Sequence, residues 1–158
     1  MADSAREIEN LLYTYAERID RGDLDGLADL FAHGRILPSP GAARTTASAG
    51  RDGVLAMYRA VTRLYEDGTP RTRHLTTNAI IDVDEAHGSA ASRSSYTVLQ
   101  QTAALPLQPI ICGRYHDTFQ RLDGRWWFAT RTMFVDLAGD LSQHLLHDVG
   151  AAGRPAKG

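Results

Sequence analysis

Apolar side chains recur at helical spacing over residues 4–19, where Ile8, Leu11, Leu12, Tyr15 and Ile19 fall on one stripe. This pattern predicts a first helix, with Ser4 as its N-cap and Glu7 completing a capping box. Gly22 stops it, and Asp23 is placed to cap a short second helix carrying Leu24, Leu27, Leu30 and Phe31. A short strand is expected at Arg35–Leu37, then a loop through the stretch 38–50, rich in Pro, Gly, Ala, Ser and Thr. A third helix is predicted over 52–66, burying Val54, Leu55, Tyr58, Val61, Thr62 and Tyr65.

After Pro70 the period changes from helical to alternating. Extended segments are predicted at about 73–83, 89–101, 108–122 and 125–137, with turns at Gly88 and at Asp123-Gly124. Residues 138–147 read as a terminal helical turn and 148–158 as a loose tail, so the ordered core is expected at about 4–147 of a single domain, 1–158. Helices followed by antiparallel strands predict an α+β fold, and a long curved sheet wrapped around helices would enclose a ligand pocket. Strict alternation puts His74, Thr76, Asn78 and Ile80 on one face and Leu75, Ala79, Ile81 and Val83 on the other. It likewise separates Trp126, Phe128 and Thr130 from Trp127, Ala129, Arg131 and Met133. Both faces then hold large apolar groups, which predicts a homo-oligomer, most simply a dimer.

Composition narrows the function classes. The 158 residues are 43% hydrophobic and carry a net charge of −2 with the signs mixed, which argues against a nucleic-acid binder and leaves small molecules or protein chains as partners. Cys112 is the only cysteine, and no apolar run approaches the roughly 20 residues of a membrane span. With no signal-like N-terminal pattern, a cytoplasmic location is expected.

Two residues stand out as candidate chemistry. Asp20 falls near the C-terminal end of the first helix, where the helix dipole disfavours a negative charge, and at the edge of the apolar stripe. It reads either as a solvated acid before a turn or as a functional carboxylate. His74 begins an unusually polar strand face and reads either as structural or as a base. Joined to a buried aspartate, it would have both its tautomer and its cationic form stabilised. His116 alternates out of phase with Tyr115 and Asp117 and is read as structural or interfacial. His144 and His147 have helical spacing but no nearby acids to complete a metal site. Ser94 and Ser95 lack nucleophile-elbow glycines, and Cys112 has no activating base.

The segments Tyr-Ala-Glu-Arg-Ile-Asp-Arg-Gly-Asp-Leu-Asp-Gly-Leu at 15–27, Thr-Arg-His-Leu-Thr-Thr-Asn at 72–78 and Arg-Tyr-His-Asp-Thr-Phe…Asp-Gly-Arg-Trp-Trp-Phe at 114–128 resemble SnoaL-like proteins of the nuclear transport factor 2 superfamily. The resemblance spans roughly residues 5–137. It implies a cone-shaped α+β barrel, with a curved antiparallel sheet around three helices. It also implies kinship with scytalone dehydratase, hexachlorocyclohexane dehydrochlorinase and bile acid 7α-dehydratase, all without cofactors, and no cofactor or metal is expected here. In such enzymes a strand histidine takes a proton and an aspartate ending helix one orients it; Asp20 and His74 stand at those positions. By the same resemblance Tyr15 matches a group assisting leaving-group departure, and Arg131 one contacting leaving group or substrate. Each keeps a structural alternative: Tyr15 as a core aromatic, Arg131 as the buried partner of Asp117.

Tyr96 occupies the place of a second acid–base residue in two relatives, which leaves the substrate open. Asn78, Tyr96, Tyr115, Asp117 and Met133 are the expected substrate-binding positions. The implied activity is a cofactor-independent lyase or isomerase acting on a small hydrophobic, aromatic or polycyclic molecule. The alternative is a non-catalytic binding or accessory subunit, like the small subunit of ring-hydroxylating dioxygenases. An epoxide hydrolase would need an Asp–Arg–Asp set, of which only Arg131 and Asp117 are visible.

Overall fold

A computed structural model of the chain describes residues 3–42 and 44–147; the predicted tail, 148–158, lies outside them. In chain order the elements are α1 (Ser4–Asp20), α2 (Leu24–Asp29), β1 (Arg35–Leu37), β2 (Ser48–Ala49), α3 (Gly50–Val61), β3 (Thr72–Asp84), β4 (Ser89–Thr102), β5 (Leu105–Leu122) and β6 (Arg125–Ala138). The α+β class and the order of helices and strands agree with the sequence reading.

Helix α1 starts one residue earlier than expected. Asp3, not Ser4, is the cap, its carboxylate accepting from the Arg6 N–H, while Ser4 is buried in the first turn. The predicted stripe does turn inward: Ile8, Leu12, Tyr15 and Ile19 are buried against α2 and the sheet. At its far end Gly22 takes φ 72°, and Asp23 N–H returns to the Arg18 carbonyl. A side chain there would be strained and would also run into the Gly68 backbone. This stop puts Asp20 in the last turn, facing the start of β3. Helix α3 ends at Val61 rather than 66. Thr62 instead forms a β-bridge with Leu145, and Tyr65 donates its hydroxyl to the Gln143 carbonyl.

The six strands form one curved sheet in the order β2-β1-β6-β5-β4-β3. It does not close into a barrel, and β1 runs parallel to β6, while the four long strands pair antiparallel as predicted. Of residues 138–147, expected as a terminal helical turn, Ala138 ends β6, Leu141–Leu145 make a single turn, and the Leu146 N–H then donates to the Val61 carbonyl.

Two bulges overturn the strict alternation. In β3, Thr77 faces Ser95 but Ile80 faces Arg93, so Asn78 and Ala79 share one partner position. Asn78 absorbs the extra residue with φ 54°. His74 and Thr76 therefore face inward, but beyond the bulge Ala79, Ile81 and Val83 do, while Asn78 and Ile80 are exposed. In β6, Thr130 pairs with Thr118 and Phe128 with Phe119, leaving Ala129 as the extra residue. Arg131 thus shares the buried face of Trp126 and Phe128, not that of Trp127.

Candidate functional site

Asp20 and His74 meet although 54 positions separate them. The His74 Nδ1 lies 2.6 Å from Asp20 Oδ1, the His74 backbone N–H donates to Oδ2 at 2.8 Å, and the Thr72 hydroxyl donates to Oδ1 at 2.9 Å. Three donors offset the unfavourable placement of a carboxylate at a helix C-terminus. The side chains are 6% exposed for His74 and 9% for Asp20. A carboxylate accepting from Nδ1–H fixes the tautomer that leaves the lone pair on Nε2.

A second polar group lies farther up the same interior. Arg131 and Asp117 are both fully buried and bound in a fork, at 2.8 Å from Nε and 2.9 Å from Nη2. The guanidinium carbon sits 4.1 Å from the Tyr15 ring centre, 3.9 Å from that of Tyr115 and 4.9 Å from that of Phe128. Burial alone would push this guanidinium down, but the Asp117 carboxylate outweighs it and the group is held above its ordinary value. Nη1 is left buried without a partner, as are the hydroxyls of Ser92 and Ser94 on β4. Tyr15 hydrogen-bonds the buried Tyr58 hydroxyl and also reaches Met133 Sδ at 3.9 Å. Burial pushes the Tyr15, Tyr58 and Tyr115 phenols up, so all three stay protonated.

The expected substrate-binding residues divide. Tyr96, Tyr115, Asp117 and Met133 line the interior; Tyr96 stacks on Tyr115 at 4.2 Å, lies over Gly113 and donates to the Phe134 carbonyl. Asn78 is outside, on the β3 bulge. His116 is exposed, 4.9 Å from the Phe134 ring centre, as its phase predicted. His144 is where the sequence reading falls short. It is 6% exposed and its ring centre lies 6.4 Å from that of His74. No local pattern marks it, because its neighbours come from α1 and β3.

Two hollows, of about 440 and 550 Å³, open elsewhere: one between His33, Arg121 and Trp127, the other between Arg6, Glu9 and Ile81. Neither is lined by Asp20 or His74. Among the described residues no three His, Cys, Asp or Glu side chains converge as a metal site, and no helix is long and apolar enough to cross a membrane.

The SnoaL-like domain profile matches residues 1–132. Among solved structures, a protein of unknown function from Mycobacterium tuberculosis is 26% identical over 88% of this chain and 79% of its own, with a TM-score of 0.68. A candidate scytalone dehydratase from Novosphingobium aromaticivorans is 24% identical over 87% of both chains, with a TM-score of 0.67. ActVI-ORFA from Streptomyces coelicolor is 20% identical over 84% of this chain and 96% of its own, with a TM-score of 0.66. No curated protein matches the chain by sequence. With its helices-then-sheet order and a profile match over most of its length, the chain belongs to the SnoaL-like family.

Proposed function

We propose that this protein is a cofactor-independent lyase or isomerase in which His74 removes a carbon-bound proton next to a carbonyl of a small hydrophobic, aromatic or polycyclic substrate. The observation that carries the reading is the Asp20–His74 pair: a carboxylate held by the Thr72 hydroxyl and the His74 backbone N–H accepts from the His74 imidazole Nδ1–H and so orients the ring, leaving the lone pair on Nε2. General base catalysis of this kind contributes on the order of 10²–10⁴-fold. Arg131 Nη1, the guanidinium nitrogen not committed to Asp117, and Tyr15 beside it are groups available to a departing oxygen. The dehydratase name of one structural relative fits the same chemistry. Leu75, Ile80 and Leu137, exposed on the outer face of the sheet, support a homodimer.

A direct test follows solvent deuterium exchange at the activated C–H of 2-tetralone, a bicyclic ketone, by ¹H NMR. The wild-type protein should exchange it faster than buffer. His74→Ala and Asp20→Asn should lose most of that rate with unchanged circular dichroism. Exchange no faster than buffer, or an undiminished rate in His74→Ala, overturns the assignment. The near-complete burial of His74 favours a second reading, a non-catalytic accessory subunit. That reading predicts no exchange and isolation with a larger partner chain.

A further inference from the structure

The segment that follows β6 is tied down on both sides of His144. Arg63 N–H donates to the His144 carbonyl at 2.9 Å, and Leu146 N–H to the Val61 carbonyl at 2.9 Å. The Gln143 carbonyl accepts from Gln100 Nε2 at 3.1 Å and from the Tyr65 hydroxyl at 2.5 Å. These bonds come from β4, the last residue of α3 and the chain after it, so they hold the His144 ring beside the start of β3. There it meets His74 with ring planes at 61°. His144 Nδ1 is buried with no hydrogen-bond partner, and so are Gln100 Oε1 and Arg63 Nε nearby. A buried imidazole nitrogen left unpaired beside two other unpaired polar atoms gains most from a polar ligand atom that bonds it.

We infer that His144 is a second substrate-contacting histidine of this site, its Nδ1–H binding the carbonyl oxygen of the substrate whose adjacent C–H His74 deprotonates. The inference rests on the proton-abstraction reading above. In the step, the C–H bond breaks and its proton goes to His74 Nε2. The C–H electron pair forms the C=C bond, and the carbonyl π pair moves onto oxygen, where the His144 N–H holds it. The oxygen pair then re-forms the carbonyl. In an isomerisation the enol C=C pair takes the proton back from His74 at carbon. In a dehydration that pair forms the new C=C bond as the β C–O bond breaks, its pair taking the His74 proton so that the hydroxyl leaves as water. A neutral imidazole suits this role, because it donates a hydrogen bond without surrendering its proton. Burial, and then the neighbouring His74, push the His144 imidazole down to about 4. The ionisable groups around it are His74 on β3, Asp20 at the end of α1 and Arg63 after α3; Gln100 and Gln143 are uncharged.

The test combines two measurements on the full chain. With ¹⁵N-histidine labelling, titration of the wild-type protein with 2-tetralone should shift the ring signals of both His74 and His144. In the exchange assay His144→Phe, which keeps the ring volume, should lose about 100-fold. His144→Asn, which returns an N–H near the Nδ1 position, should recover at least 10-fold of that loss. A His144→Phe variant as fast as wild type, beside an inactive His74→Ala, overturns the role of His144 and leaves proton abstraction by His74 standing. Equal losses in His144→Phe and His144→Asn, with only the His74 signal moving, assign His144 to structure and overturn it too. Wild-type protein with neither exchange nor ring shifts overturns both readings.

Discussion

Replacing Arg131 by Met tests how the interior is held together. Both members of the Arg131–Asp117 pair are fully buried, and the carboxylate makes two charge-assisted bonds at 2.8 and 2.9 Å. Removing the cation strands Asp117 among Tyr15, Tyr115 and Phe128, and breaking a buried pair from one side costs about 3–5 kcal/mol. At roughly 2–4 °C per kcal/mol for a chain of this size, the melting temperature should fall by about 6–20 °C. The double variant Arg131→Met/Asp117→Leu removes both charges together, so it should lie within about 1 kcal/mol of wild type. Urea unfolding followed by circular dichroism reads the whole cycle. If the double variant is as unstable as Arg131→Met alone, the loss comes from packing of the arginine stem between its aromatic neighbours, and the electrostatic reasoning is wrong.

Two further perturbations probe the site and its frame. The His144 imidazole sits at about 4 in the folded protein against an ordinary 6.5, so the unfolded chain binds more protons between those values. Its contribution to stability is therefore complete above about pH 6.5 and is lost as pH falls towards 4, roughly 2 kcal/mol of it between pH 7.5 and 5. Urea curves of wild type and His144→Phe at those two pH values should diverge by about that amount; parallel losses would falsify the burial argument. Asn78, at φ 54° on the β3 bulge, should tolerate Gly within about 0.5 kcal/mol, whereas Val should cost about 1–2 kcal/mol. Neither change should alter 2-tetralone exchange, and a specific loss of exchange in Asn78→Gly would return Asn78 to the site.

Much of the architecture was legible because it is written in local periodicity. The stripe of α1, the Gly22 stop, the Asp23 cap and the four long strands follow from side-chain spacing and from which residues tolerate a positive φ. Asp20 and His74 were legible for a related reason: each is a polar residue in a place local rules disfavour, and motif resemblance paired them. The faces of β3 and β6 were not legible. β3 spends an extra residue at Asn78, and β6 one at Ala129 and another at Asp136, and each insertion reverses the inward and outward sets beyond it, as far as the next.

The sequence by itself determined the elements and their order, because helical and strand periods are properties of neighbouring positions, and motif resemblance singled out Asp20 and His74. Only the tertiary structure decided that Arg131 turns inward to Asp117, that Asn78 turns out to solvent, and that His144 closes over His74. The first two depend on where a strand spends its extra residue. The third depends on a segment with no period of its own, placed by hydrogen bonds to Val61, Arg63, Tyr65 and Gln100 that are 43 to 85 positions away.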